Sequence, residues 1–297
     1  MINLSLEKLP LVSVIIPAKN EGKNVRTTLA SLYECKTRYP LEIIVVDDGS
    51  SDKCCDFLKT EQQALPVRLI STPGIGAAPA RNLGAEQAHG DYLIFCDAHL
   101  TFEPYWIDRL LELILSRTAD AVAPAIGSIS EPHKVGYGQK LDERLGVVWN
   151  PQPYRPSPVA ILPGGCFVIP KSVFMDIGGF DRGFQVWGYE DIEISIKLWL
   201  FGYRCFVHPN VKILHLFRQA HPYTVTHTHV YYNMLRMAYS HFKEERISAC
   251  KKLIIHANAD EVEQDVIKYG AAAQRVRYFA RRKHDDDWWT REFRIPF

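Results

Sequence analysis

Long apolar runs are missing from this chain, since no stretch of 18 consecutive apolar residues occurs in its 297, so no membrane-spanning helix is expected. The segment from Met1 to Pro10 has neither a basic leader nor an extended apolar core, and a secretory signal is not expected there either. An excess of one charge is also missing. Lys plus Arg number 35 against 34 Asp plus Glu, which argues against a bulk nucleic-acid binder and confines any affinity for anions to a local patch. Paired C-x-x-C spacing is absent, and the seven cysteines (Cys35, Cys54, Cys55, Cys96, Cys166, Cys205, Cys250) are odd in number and mostly lie in apolar stretches. That pattern fits buried thiols in a reducing compartment better than a disulfide framework or a zinc site. The expectation is a cytoplasmic protein, with room for a peripheral membrane contact. No internal repeat and no low-complexity tract is present.

What remains is an ordinary globular composition, 47% apolar and 23% charged, on a chain long enough for a sizeable core. Short apolar runs end in polar or glycine turns and pass into helical patterns. Val12 to Pro17, Leu41 to Val46, Val67 to Ile70 and Tyr92 to Cys96 read as strands, with helices after the first and around Ala80 to Ala88. Continuous apolar strands alternating with amphipathic helices predict an α/β fold with a mostly parallel central sheet flanked by helices. In such a sheet ligands gather at the carboxyl ends of the strands, where Asn20, Asp47 and Asp97 fall.

The second half is less regular. Ile129 to Pro158 carries five prolines and three glycines and reads as a loop or insertion near the site. A strand over Ala160 to Ile169, helices over Lys171 to Ile177 and Tyr189 to Phe201, and two short strands at Cys205 to Val207 and Val211 to Leu214 follow. From Val230 onward the pattern is helical, which predicts a catalytic domain over 1–229 and a helical extension over 230–297. Trp288 and Trp289 are suited to docking that tail.

Several groups have two readings each. Asp97-Ala98-His99 follows a strand, so side chains at i and i+2 can leave its end together and bind a divalent metal, while a turn-capping Asp explains the triplet as simply. Asp47-Asp48-Gly49-Ser50 is either a turn with a helix cap or a strand-end carboxylate for a base or ribose. Gly74-Ile75-Gly76 lacks the third glycine of a dinucleotide fingerprint. Arg81, near a helix start, suits a phosphate or base but also a solvated surface. Glu190 and Asp191 either stabilise a first helical turn or serve substrate hydroxyls and proton abstraction. His215, three residues before Arg218, is either a core histidine or a further ligand. His227 and His229 fit a mobile polar lid better than a second metal site.

Taken together, Val12 to Glu21, Val46-Asp47-Asp48-Gly49-Ser50, Ala80 to Gly84 and Asp97-Ala98-His99 resemble the successive motifs of family 2 glycosyltransferases with a GT-A fold. Pro163 to Phe167, Gly178-Gly179-Phe180-Asp181, Trp187 to Asp191 and His215 to Arg218 resemble, within that group, the polypeptide N-acetylgalactosaminyltransferases. The resemblance spans about Val12 to Arg218.

It implies a nucleotide pocket from Pro17, Ala18, Glu21, Asp47 and Arg81, and a Mn²⁺ or Mg²⁺ ion held by Asp97, His99 and His215. Arg218 would assist at the diphosphate of a nucleotide sugar, UDP-linked. Gly164 and Gly165 would admit the sugar close to backbone, with Trp187 and Glu190 shaping its pocket. The polypeptide-modifying relatives, which retain anomeric configuration, have Asn where Asp191 stands, and inverting family 2 enzymes place their catalytic Asp there. Asp191 is therefore expected to be the base of an inverting transfer to a peptide, saccharide or small-molecule hydroxyl. A retaining transferase and a silent nucleotide-sugar-binding protein are the alternatives.

Overall fold

The computed structural model describes residues 9–297. The segment in which no leader is expected lies largely outside the described residues. The first half is β1 (Val12–Ala18), α1 (Asn24–Glu34), β2 (Leu41–Asp47), β3 (Val67–Ser71), α2 (Ala77–Gln87) and β4 (Tyr92–Cys96). These four strands are parallel neighbours, with Val14 beside Ile43 on one side and Ile94 on the other. Period-two geometry then divides each strand between two cores. Ile15, Ile44 and Val46 join one, while Val14, Ile16, Ile43 and Val45 join the other. Both faces are covered, which is why the strands read as unbroken apolar runs.

The chain continues through β5 (Leu100–Phe102), α3 (Trp106–Leu115), β6 (Ala121–Ser128), β7 (Val135–Gly136), β8 (Gln139–Leu141), β9 (Val147–Trp149), β10 (Ser157–Pro158), β11 (Cys166–Pro170), α4 (Lys171–Asp176), α5 (Glu190–Leu200) and β12 (Cys205–His215). The sheet order is β10-β12-β6-β11-β4-β1-β2-β3. β12 runs parallel to β6, and β11 lies antiparallel between β6 and β4. The long strands are thus mostly parallel with one reversed strand in the middle.

Two expected strands differ in extent. The run from Ala160 becomes a strand only at Cys166, because Pro163-Gly164-Gly165 turns the chain, with Cys166 N–H donating to Pro163 C=O at 3.3 Å. The two short strands after Cys205 are one strand whose register shifts between His208 and Lys212, at Pro209, which has no N–H for the ladder. The proline-rich stretch holds the β8–β9 hairpin, a second small sheet.

The C-terminal part is α6 (His227–His241), α7 (Glu244–Lys252), α8 (Ala259–Lys268), α9 (Ala271–Arg281) and α10 (Asp286–Glu292). The 229/230 division falls inside α6. Trp289 is fully buried near Phe242, and Trp288 faces Trp199, so the tail aromatics do pack onto the domain. Buried charges cross the same junction in pairs, as burial requires. Arg236 Nε donates to Asp181 at 2.9 Å, and Glu193 lies between Lys197 (3.1 Å) and His241 (2.8 Å). All seven cysteines are free thiols, six of them buried. Among the described residues no helix is long and apolar enough to cross a membrane.

Candidate functional site

The end of β4 is tied to the turn before β11 by Asp97 N–H donating to Gly165 C=O at 2.9 Å. The end of β12 is tied to the same place by Leu216 N–H donating to His99 C=O at 3.1 Å. These bonds bring His215 to Asp97 across 118 positions of sequence. One donor atom each from Asp97, His99 and His215 lie within 4.8 Å of one another. His215 Nε2 is 3.2 Å and His99 Nε2 4.0 Å from Asp97 Oδ2, and the two rings meet edge to face at 4.6 Å.

The surroundings of the triad test whether it suits a cation. His99 Nδ1 is 3.2 Å from the Glu21 carboxylate and 3.4 Å from Arg218 Nη2; a proton on Nδ1 suits the carboxylate and turns Nε2 towards Asp97 as the ligand atom. Glu21 is in turn gripped by both terminal nitrogens of Arg218, through Nη1 at 3.1 Å and a shorter contact from Nη2. Burial alone would raise the Glu21 carboxyl, but His99 and Arg218 hold it below its ordinary value. Asp97 behaves likewise. Burial opposes its charge, yet the His215 contact and the charges of Arg81, His99 and His215 hold it well below the usual carboxylate range. The other nitrogen of His215 is buried with no hydrogen-bond partner among the described residues, so the ring's polar contact runs through Nε2 to Asp97. One carboxylate and two imidazoles, with a carboxylate behind one imidazole, make a donor set that fits Mn²⁺ or Mg²⁺, the imidazoles favouring Mn²⁺.

Arg81, 5% exposed, links this centre to the start of α5. Its Nη2 donates to Asp97 at 2.9 Å and its Nη1 to Glu190 at 3.4 Å. Burial would lower its pKa, but Asp97, Glu190 and Asp191 raise it instead. Asp191 points into the same space and accepts from Gly164 N–H (3.1 Å) and Ile192 N–H (2.9 Å). Burial and the neighbouring Glu190 push its carboxyl up to about 6. The two glycines owe their identity to close approach. A Cβ on Gly164 would stand 3.0 Å from Asp191 Cβ, and one on Gly165 would stand 3.1 Å from His215 Cδ2.

All of these groups open on one cavity of about 940 Å³. The family model described as "Glycosyl transferase family 2" matches residues 13–178, more than half of the chain, and one described as "N-terminal domain of galactosyltransferase" matches 147–227. The chain belongs to glycosyl transferase family 2. Polypeptide N-acetylgalactosaminyltransferase 8 of Drosophila melanogaster is 32% identical over 232 residues, 72% of this chain and 39% of the relative. Polypeptide N-acetylgalactosaminyltransferase 10 of Homo sapiens is 31% identical over 240 residues, 74% of this chain and 40% of the relative. The family 2 chain thus spans about two fifths of the length of these relatives. Among solved structures, GalNAc-T7 with UDP, GalNAc and Mn²⁺ superposes with a TM-score of 0.72 at 22% identity, covering 97% of this chain and 57% of that one. The Pyrobaculum calidifontis mannosyltransferase PcManGT with GDP-Man and Mn²⁺ gives 0.56 at 18%, covering 92% and 74%. These likenesses establish the expected GT-A fold.

Of the residues singled out by sequence, this family 2 chain brings Pro17, Ala18, Glu21, Arg81, Asp97, His99, Gly164, Gly165, Trp187, Glu190, Asp191, His215 and Arg218 to the cavity wall. Asp47 is not among the lining residues. Its Oδ1 accepts from Ser50 N–H at 3.0 Å, in a turn that caps no helix, and the acidic neighbour at the wall is Asp48. Asp48 accepts from Ile75 N–H (2.6 Å), Gly76 N–H (2.9 Å) and the Thr72 hydroxyl (2.6 Å), which explains the two glycines better than a phosphate loop does. His227 and His229 start α6 instead of joining the triad, and Thr226 and His229 form a capping box.

Sequence reasoning missed Lys19, Gln139, Trp149 and Tyr223, which also line the cavity, as does His221, which precedes His227 and His229 on the segment expected to form a lid. Trp149 meets Phe217 edge to face at 6.2 Å, and Trp187 meets His221 at 4.3 Å. An aromatic between valines and prolines in the irregular stretch was the one available signal for Trp149.

Proposed function

We propose that this chain is a metal-dependent glycosyltransferase that moves a sugar from a UDP-linked donor to an acceptor hydroxyl with inversion at the anomeric carbon. The observation that carries the reading is the convergence of Asp97, His99 and His215, flanked by two arginines, on one open cavity. The GalNAc-T7 structure, which holds UDP, GalNAc and Mn²⁺, supports the choice of donor and metal.

Asp97, His99 and His215 would hold Mn²⁺, or Mg²⁺ in its place, which would supply positive charge against the departing nucleotide diphosphate. The chain's own groups do the rest. Arg81 keeps Asp97 ionised and aimed, and Glu21 sets the His99 tautomer while holding Arg218 at the diphosphate side. Pro17, Ala18 and Glu21 border the nucleotide, with Asp47 ordering the turn behind Asp48. Gly164 and Gly165 leave room for the sugar beside Trp187 and Glu190. Asp191, raised to about 6, suits a base near neutral pH. Its carboxylate takes the acceptor O–H proton as that oxygen bonds to the anomeric carbon and the bond to the diphosphate breaks on the opposite face. One displacement inverts the centre.

The relatives' names support a polypeptide hydroxyl as acceptor, with saccharides and small molecules as the other classes. The test is a panel of nucleotide sugars with Mn²⁺ against peptide, saccharide and small-molecule acceptors. Nucleotide release is measured for wild type, Asp97→Ala and His215→Ala, and the product anomer is assigned by NMR. Acceptor-dependent release by wild type alone, with an inverted product, supports the proposal. No turnover of any donor, or full activity in both variants, sinks it. A retained configuration removes Asp191 from the role of base.

A further inference from the structure

Asn233 sits in the middle of α6 and is fully buried, flanked by buried Tyr232, Met234 and Leu235, with Arg236 the next buried polar residue. Nothing local favours it there. Asparagine is a poor helix former, and a buried amide is costly unless bonded. Its side chain serves one backbone segment only. Oδ1 accepts from Gln185 N–H at 2.8 Å, while Nδ2 donates to the carbonyls of Gln185 (2.8 Å), Gly188 (2.9 Å) and Trp187 (3.3 Å). Both amide N–H groups and the carbonyl are therefore used on residues 185–188.

That segment has unusual backbone. Val186 has φ 46°, Gly188 106° and Tyr189 66°, and the left-handed region is rare for a β-branched or aromatic residue. Such conformations persist only where the surroundings over-determine them. On the side away from Asn233, Val186 C=O accepts from Ala77 N–H at 2.8 Å, and Glu190 Oε2 accepts from Gly188 N–H at 2.7 Å. The segment carries Trp187 to the cavity and enters α5 at Glu190 and Asp191.

We propose that Asn233 is a positioning residue that clamps 185–189 in the conformation aiming Trp187, Glu190 and Asp191 at the sugar and acceptor. Through Asn233, the first half of α6 then supports the site. The consequence for turnover rests on the glycosyltransferase reading, whereas the clamp itself stands on the backbone bonds. Asp97, His99 and His215 lie on other elements and meet the clamped segment only through the Arg81 bridge from Asp97 to Glu190, so nucleotide binding is expected to change less than turnover.

The experiment compares Asn233→Ala and the isosteric Asn233→Asp with Ser240→Ala. Ser240→Ala removes a buried α6 hydroxyl, bonded to Arg236 C=O and Gln274, that does not touch 185–189. Three quantities are read: deuterium uptake over 184–190, UDP affinity with Mn²⁺ by calorimetry, and kcat on the best UDP-sugar of the donor panel. Both Asn233 variants are expected to exchange faster over 184–190 and to lose about 10- to 100-fold in kcat, the scale of a small misplacement of reacting groups. Their UDP affinity stays within about threefold of wild type, which marks an effect on turnover and not on nucleotide binding. Ser240→Ala keeps wild-type kcat and wild-type exchange in that segment. Asn233→Asp preserves volume and the bond from Gln185 N–H, so it reports even if the alanine variant does not fold. Unchanged exchange over 184–190 in Asn233→Asp overturns the clamp, as does an equal loss of kcat in Ser240→Ala. If wild type neither binds UDP nor turns over a sugar nucleotide, the glycosyltransferase reading fails, and the exchange comparison alone then decides the clamp.

Discussion

Arg81→Met removes the cation between buried Glu190 and half-buried Asp97 while keeping most of the side-chain volume. Arg81 donates to Asp97 at 2.9 Å and to Glu190 at 3.4 Å, and the three groups are 6%, 23% and 7% exposed at the side chain. Taking one partner out of a buried ion pair leaves charge uncompensated and costs about 3–5 kcal/mol. For a chain of this length that corresponds to a fall of roughly 5–8 °C in Tm. The assay is thermal unfolding in EDTA and again with saturating Mn²⁺. A divalent cation at the triad restores positive charge beside Asp97, so part of the loss should return with Mn²⁺ in the variant. Equal Tm values for wild type and variant in EDTA would refute the reasoning, because Arg81 would then not be neutralising Asp97 and Glu190.

Asp191→Asn should reduce turnover by about 10²–10⁴-fold, the usual contribution of a general base, with UDP affinity unchanged by calorimetry. Wild-type kcat should rise with pH through about 6 and then level off, because the ionised carboxylate is the active form. A folded-state pKa raised above the ordinary value contributes stability at low pH that is lost as pH rises through about 6. Urea unfolding at pH 8 should therefore find Asp191→Asn more stable than wild type by about 1–3 kcal/mol, with no such gain below pH 4. Glu21→Gln should weaken Mn²⁺ binding by about 10- to 100-fold, as loss of a carboxylate behind a metal-binding histidine does; unchanged affinity would show that Glu21 does not set the His99 tautomer. Gly165→Ala should lower Mn²⁺ affinity in the same way, by about tenfold, since its Cβ meets the His215 ring at 3.1 Å. A crystal structure with an unmoved His215 would rule that mechanism out.

The parallel half of the sheet was legible because β1, β2 and β4 are buried on both faces and so appear as unbroken apolar runs that stop at polar turns. Asp97 and His99 were legible as a pair because both follow one strand directly, but their company with His215 depends on β12 lying beside β5 and β6, which no local pattern encodes. The reversed strand β11 was hidden for a related reason. Cys166 to Pro170 has the same apolar pattern whichever way it runs, and only pairing with both β4 and β6 reveals its direction. At the second strand end the neighbours Asp47 and Asp48 were indistinguishable by spacing, and the amides of Ile75 and Gly76, 27 and 28 positions on, decide which one reaches the cavity wall. Asn233 was silent in sequence, a single polar residue in a helical run, because its partners lie 45 to 48 positions earlier.

The most direct test of metal-dependent nucleotide binding at Asp97, His99 and His215 is calorimetric titration of UDP into the wild-type protein and into His215→Ala, each with Mn²⁺ and with EDTA. Wild type should bind UDP with Mn²⁺ and lose that binding in EDTA, and His215→Ala with Mn²⁺ should bind about 100-fold more weakly or not at all, the scale of disrupting a metal site. Equal UDP affinity in Mn²⁺ and EDTA, or a His215→Ala protein that binds as wild type does, would contradict the assignment of this triad.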